Sequence, residues 1–98
     1  MPVRPIAKLS RSDLADLNAF RTVERLRSFT QAAVELGITT SALSHSVRNL
    51  ETRLGVRLLN RTSRTVAPTD AGSNLARRLE IGFNEIGEAL DEINLLRD

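Results

Sequence analysis

Four polar side chains within eight residues, Ser41, Ser44, His45 and Arg48, carry the densest recognition chemistry in this 98-residue sequence. Steps of three, one and three residues put them on one face of a helix. Two hydroxyls, an imidazole and a permanently charged guanidinium can donate and accept hydrogen bonds at short range. Catalysis would need more than this. The chain has no Cys and a single His, which excludes disulfides, thiolate metal sites and a His cluster. No paired acid and base, nucleophile constellation or Gly-rich phosphate loop accompanies them, so neither an enzyme nor a cofactor is expected. The remaining chemistry is the reading of another polar surface. Solvated helix faces usually carry long Lys and Glu side chains. Short ones let a partner approach the backbone, as the major groove of DNA does for a recognition helix.

The helix that must hold these groups is expected from Thr39 to Leu54. Leu43, Val47, Leu50 and Leu54 recur at four, three and four residues, an apolar stripe on nearly the opposite side that must be buried. Thr39 is its cap and Gly55 its stop. Ahead of it, Ser28 to Leu36 reads as a short helix. Ser28 and Gln31 have capping-box spacing, Phe29, Ala32, Ala33 and Leu36 form its apolar face, and Gly37 is a left-handed stop. A short helix, a tight turn at Gly37-Ile38 and a longer helix make a helix-turn-helix. Asp13 to Arg27 is expected as a preceding helix, capped by Ser12, Asp13 or Asp16, with Leu17, Phe20, Val23 and Leu26 toward the core.

After Gly55, Val56, Leu58 and Leu59 are apolar, Arg61 to Arg64 reads as an exposed turn, and Thr65 to Ala67 as a returning strand. The expectation is a two-stranded wing over about 60–67 with Arg61 and Arg64 near its tip; an irregular basic loop is the alternative. Thr69 then caps one long helix running to about Leu96, and Asp70 suits the positive end of its dipole. At about 1.5 Å per residue it spans about 40 Å, more than so small a domain needs. Ala76, Leu79, Phe83, Ile86, Leu90 and Ile93 recur at three and four residues, an a/d seam. Glu80, Glu85, Glu88, Asp91 and Glu92 cover the other faces. Such a seam calls for a partner helix, most simply a second copy; packing back on its own domain is the alternative. Gly82 and Gly87 either permit close helix contact or mark a bend.

Charge supports a polyanionic partner. Residues 1–69 hold eleven Lys/Arg against five Asp/Glu, whereas residues 70–98 hold three against seven. A basic part joined to an acidic helix is what a polyanion-binding first part would produce; chance clustering of charge is the alternative. Three Phe are the only aromatics, too few for a stacking platform on single strands. Residues 1–12, with two Pro and three cations, are expected as a flexible basic arm. No apolar run is long enough to cross a membrane and no signal-peptide core is present, so the expected place is the cytoplasm.

In order and spacing, the chain resembles the N-terminal DNA-binding region of LysR-type transcriptional regulators. The resemblance covers about residues 16–93. It rests on Leu17, Phe20 and Val23, on Ser28-Phe29-Thr30 with Ala32-Ala33, and on Leu36-Gly37. It continues through Ser41-Ala42-Leu43-Ser44, Val47, Leu50-Glu51, Leu54-Gly55 and Leu58-Leu59, and ends with Arg61, Arg64, Val66 and Pro68-Thr69-Asp70-Ala71-Gly72. No single piece is specific, but the ordered set is. The resemblance implies a mainly α fold: a winged helix-turn-helix domain, here 13–69, followed by a dimerising linker helix, here 70–98. It places Thr40, Ser41, Ser44 and His45 at base and phosphate contacts, with Arg48 one turn along. It also places Arg64 at the wing tip, and Ser28, Thr30 and Gln31 at a phosphate-meeting helix start. The chain departs from the common pattern at Thr40, where Gln is frequent, at His45-Ser46, where Arg-Gln is frequent, and at Leu59, where Phe is frequent. Family chains continue into an effector-binding domain that is not in these residues, so ligand sensing is not expected of them.

The expected function is sequence-specific binding of double-stranded DNA by a homodimer at an interrupted inverted repeat, regulating transcription at promoters. The alternative from another class is a protein-interaction module that pairs with longer regulators through the acidic helix.

Overall fold

Hydroxyl side chains set where every helix begins. In the computed structural model, which describes residues 9–62 and 64–97, Ser10 Oγ accepts from the Asp13 N–H and Asp13 Oδ2 accepts from the Ser10 N–H, both at 3.0 Å. This capping box starts α1 (Arg11–Leu26). Ser28 Oγ accepts from Gln31 N–H at 3.1 Å and starts α2 (Phe29–Leu36). Thr39 Oγ1 accepts from Ala42 N–H at 3.0 Å and starts α3 (Thr40–Leu54). Thr69 Oγ1 accepts from Gly72 N–H at 3.0 Å and starts α4 (Asp70–Leu96). Each such cap contributes about 1 kcal/mol. Gly37 and Gly55 end α2 and α3 at φ of 70° and 73°, the left-handed region that glycine enters without strain.

The first helix corrects one expectation. It starts at Arg11, inside the segment read as an arm, and its cap is Ser10 rather than Ser12, Asp13 or Asp16. Asp13 completes that capping box from the third helical position, and Asp13 and Asp16 are both engaged by Arg53 of α3, whose Nη1 and Nη2 lie 2.7 Å and 2.8 Å from their carboxylates. Residues 1–8 of the arm lie outside the described residues.

The three helices close around a small apolar core. Phe20 and Val23 of α1, Ala32 of α2 and Leu43 of α3 are fully buried, with Phe29, Ala33, Val47 and Leu50 nearly so. Burying a side chain such as Phe20 or Leu43 contributes about 1.5–3 kcal/mol. Leu17, Leu26 and Leu36 are half-buried at its margin. Leu54 departs from the expected stripe: it is 44% exposed at the last position of α3, one turn beyond the buried Leu50.

The wing forms. Strands β1 (Leu59–Arg61) and β2 (Val66–Pro68) pair antiparallel, with Leu59 opposite Pro68, Asn60 opposite Ala67 and Arg61 opposite Val66. Pro68 has no N–H to offer, which suits the end of an edge strand. Leu58 and Leu59 are buried, and their N–H groups donate to Glu51 Oε2 at 2.8 Å and 3.1 Å. The hairpin is thereby fastened to α3.

The long helix divides its seam. Ala76 is buried in the domain core and Leu79 packs against it. Phe83 is half-buried, with the Arg21 guanidinium 4.3 Å from its ring centre and Arg21 Nη1 3.4 Å from Glu80. Beyond Phe83 the helix leaves its own domain. Ile86, Leu90 and Ile93 are 54%, 56% and 59% exposed. The seam expected to face a partner along its whole length is therefore used by its own domain at Ala76 and Leu79, since α4 begins against β2 and α1. No helix among the described residues is long and apolar enough to cross a membrane.

Candidate nucleic-acid interface

The α3 helix presents the expected polar face. Thr40, Ser41, His45 and Arg48 are exposed and Ser44 is half-buried, while Leu43, Val47 and Leu50 hold the opposite side in the core. The helix cannot roll without exposing that stripe, so the polar side chains have a fixed direction. At the start of α2, Ser28 is half-buried with its oxygen committed to the cap, and Thr30 and Gln31 are exposed. Only the Ser28 half of the anticipated capping box forms, which leaves the Gln31 amide outside it.

The wing places its two arginines differently. Arg61 reaches inward. Its Nη2 donates to Ser44 Oγ at 3.2 Å, and its guanidinium carbon lies 3.8 Å from the centre of the Phe29 ring. Arg64 reaches outward from the turn. The Thr62 N–H donates to Thr65 O and the Thr65 N–H to Thr62 Oγ1, each at 2.9 Å, and the Arg64 N–H donates to Thr62 Oγ1 at 3.2 Å. These bonds shape the tip, and the Arg64 side chain is exposed upon it. Ser63 lies outside the described residues.

The arginines divide into those that meet an acid and those that do not. Arg21, Arg25, Arg27 and Arg53 each meet an acid: Glu80, Glu35, Glu24, and the pair Asp13 and Asp16. Among the described residues, Arg48, Arg57, Arg61 and Arg64 meet none. Glu51, three residues beyond Arg48, spends Oε2 on the Leu58 and Leu59 N–H groups instead. Arg11, Arg77, Arg78 and Arg97, on or next to α1 and α4, likewise meet no acid among the described residues. What sets Arg48, Arg57, Arg61 and Arg64 apart is that they lie together on α3 and the hairpin beside the exposed polar face, where they would attract a polyanion. An open cleft between the C-terminal half of α3 and β1 is lined by Arg48, Arg57 and Arg61 together with Val47, Thr52 and Leu59. Arg57 was not among the residues anticipated; a lone cation in an aperiodic loop carries no local signal of where it points. No group of three or more His, Cys, Asp or Glu among the described residues could hold a metal ion.

Comparison with known proteins agrees with this geometry. The family model for the bacterial regulatory helix-turn-helix protein, lysR family, matches residues 14–73, from α1 through the wing to the first turn of α4. The HTH-type transcriptional regulator YcaN of Escherichia coli is 49% identical over 87 residues, which are 89% of this chain and 29% of that protein. PgrR of the same organism is 44% identical over 90 residues, 92% of this chain and 30% of that protein. The chain therefore spans under a third of the length of these relatives. Among solved structures, the BenM DBD in complex with catB site 1 DNA superimposes with a TM-score of 0.79 at 31% identity, covering 85% of this chain and 92% of that one. A mainly α, winged helix-turn-helix domain followed by a long helix is the architecture these proteins share with it, and the chain belongs to the lysR family of bacterial regulatory helix-turn-helix proteins.

Proposed function

We propose that this chain binds double-stranded DNA in a sequence-dependent way, as a pair of copies joined through α4, and so regulates transcription at promoters. The observation that carries the reading is the fixed polar face of α3, exposed at Thr40, Ser41, His45 and Arg48 and flanked by wing arginines that meet no acid among the described residues. Such a helix fits the major groove, and its short side chains reach base edges there. Arg64 at the wing tip reaches the adjacent minor groove or its phosphates. Thr30, Gln31 and the uncapped N–H groups at the start of α2 meet backbone phosphates. Arg48 and Arg57 add counterion-releasing contacts that make affinity fall with salt. The DNA complex of the similar BenM domain supports this reading.

The exposed row Ile86, Leu90 and Ile93 supports pairing through α4. Two copies joined there would set the spacing of two recognition helices, and the matching operator is an interrupted inverted repeat. Hydroxyl-radical footprinting on duplexes enriched by the purified chain tests this. Two protected patches on one face of the DNA, separated by whole helical turns, are the expected result; a single patch would contradict paired binding. The same row supports a second reading, in which α4 pairs with a longer relative carrying a similar helix. Co-purification with such a protein in the absence of operator binding would favour it.

A further inference from the structure

Ser44 faces the proposed DNA surface with its oxygen already engaged on one side. Arg61 Nη2 donates to Ser44 Oγ at 3.2 Å. The same guanidinium stacks 3.8 Å from the centre of the Phe29 ring, and Phe29 is 7% exposed at the first position of α2. Arg61 of β1 is therefore clamped between α2 and α3, stacked on one and bonded to the other.

A hydroxyl has one proton to give and two lone pairs, whereas a guanidinium has only donors. The bond from Arg61 takes one of the two lone pairs of Ser44 and leaves the other lone pair and the proton. With a cation already on the oxygen, a second donor is disfavoured there and an acceptor for the proton is favoured. The usual intrahelical sink for such a proton is the carbonyl one turn back. Thr22 makes that bond, to Asn18 O at 2.8 Å; among the described residues, Ser44 makes no such bond. Resting on the DNA-binding reading above, we infer that Arg61 is a positioning residue that biases Ser44 toward donating its hydrogen bond, so that Ser44 prefers an acceptor on the base edge it meets over an exocyclic amino group. In the major groove the acceptors are N7 and O6 of guanine, N7 of adenine and O4 of thymine. Cytosine offers only its N4 amino donor there and is the base selected against. The nearby positive charge of Arg61 reinforces that selection, since it favours an electronegative edge.

The test is selection from randomised duplexes, followed by sequencing, with the whole chain and with Ser44→Ala, Arg61→Ala and Arg61→Met. The methionine variant keeps an unbranched stem on Phe29 without a donor, which guards against a general disturbance of the wing. The unmodified chain is expected to enrich a motif with one position at which cytosine on the contacted strand is depleted about two- to tenfold, the range of a single net hydrogen bond. Ser44→Ala removes that depletion at that position alone. Both Arg61 variants admit cytosine there and keep the preferences at other positions. An Arg61 that only neutralised a phosphate would weaken all sequences alike and leave the motif unchanged. That outcome, or loss of all binding by both Arg61 variants, overturns the inference while the DNA-binding reading stands. No enriched motif from the unmodified chain overturns both.

Discussion

A Cβ on Gly72 of α4 would stand 2.0 Å from the carbonyl oxygen of Leu58 and 2.9 Å from its carbonyl carbon. That oxygen already accepts from the Thr69 N–H at 2.9 Å, and the Leu58 N–H is bound to Glu51. The end of α3, the base of the wing and the start of the long helix meet at this crossing, so neither backbone can move aside alone. Gly72→Ala is expected to destabilise the fold by about 1–3 kcal/mol or more. Gly82 is the contrast: an added Cβ meets nothing within 4 Å, and Gly82→Ala is expected to stabilise by up to about 1 kcal/mol. Urea unfolding followed by circular dichroism measures both. Equal effects would contradict the crossing.

Arg53 joins α3 to the first turns of α1 through Asp13 and Asp16, and Asp16 is 8% exposed. Arg53→Ala leaves the Asp16 carboxylate with less compensation in a mostly dry site. The expected loss is about 1–3 kcal/mol, below the cost of breaking a fully buried pair because Arg53 itself is partly solvated. Thermal unfolding at fixed pH measures it. Unaltered stability would mean that water replaces the guanidinium without cost.

Leu90 lies at the centre of the exposed row on α4. Leu90→Asp is expected to shift a monomer–dimer equilibrium toward monomer roughly tenfold or more, since a leucine side chain contributes about 1.5–3 kcal/mol when buried. The helix-turn-helix core should unfold as before. Sedimentation equilibrium reads the association. An unchanged dissociation constant would place the interface elsewhere.

Arg64 stands on the wing tip without an acidic partner among the described residues. Arg64→Ala is expected to weaken binding to all duplexes about equally and to reduce the slope of log affinity against log salt by about 1. Titrations at several salt concentrations give that slope. An unaltered slope would remove Arg64 from the phosphate contacts.

Local signals carried most of the fold. Ser28, Gly37, Thr39, Gly55 and Thr69 each act within one helical turn, so α2, α3 and the start of α4 were legible from spacing alone. The start of α1 was not. Ser10, Ser12, Asp13 and Asp16 all offer capping oxygens, and Asp13 and Asp16 are tied to Arg53, which is 40 and 37 residues distant. The division of the α4 seam depends on which turns touch β2 and α1, which a heptad pattern does not encode. Within the candidate site, the polar face of α3 followed directly from its period. The clamp on Arg61 did not, because Phe29 and Ser44 are distant in sequence and on different helices.

Sequence-dependent DNA binding is tested most directly by fluorescence anisotropy, titrating the purified chain against its own upstream genomic DNA and against a scrambled duplex at two salt concentrations. The expected result is binding at least tenfold tighter to the upstream duplex, with affinity falling steeply as salt rises. Equal binding to both duplexes that is insensitive to salt would contradict it, and would turn attention to α4 as a surface for another protein.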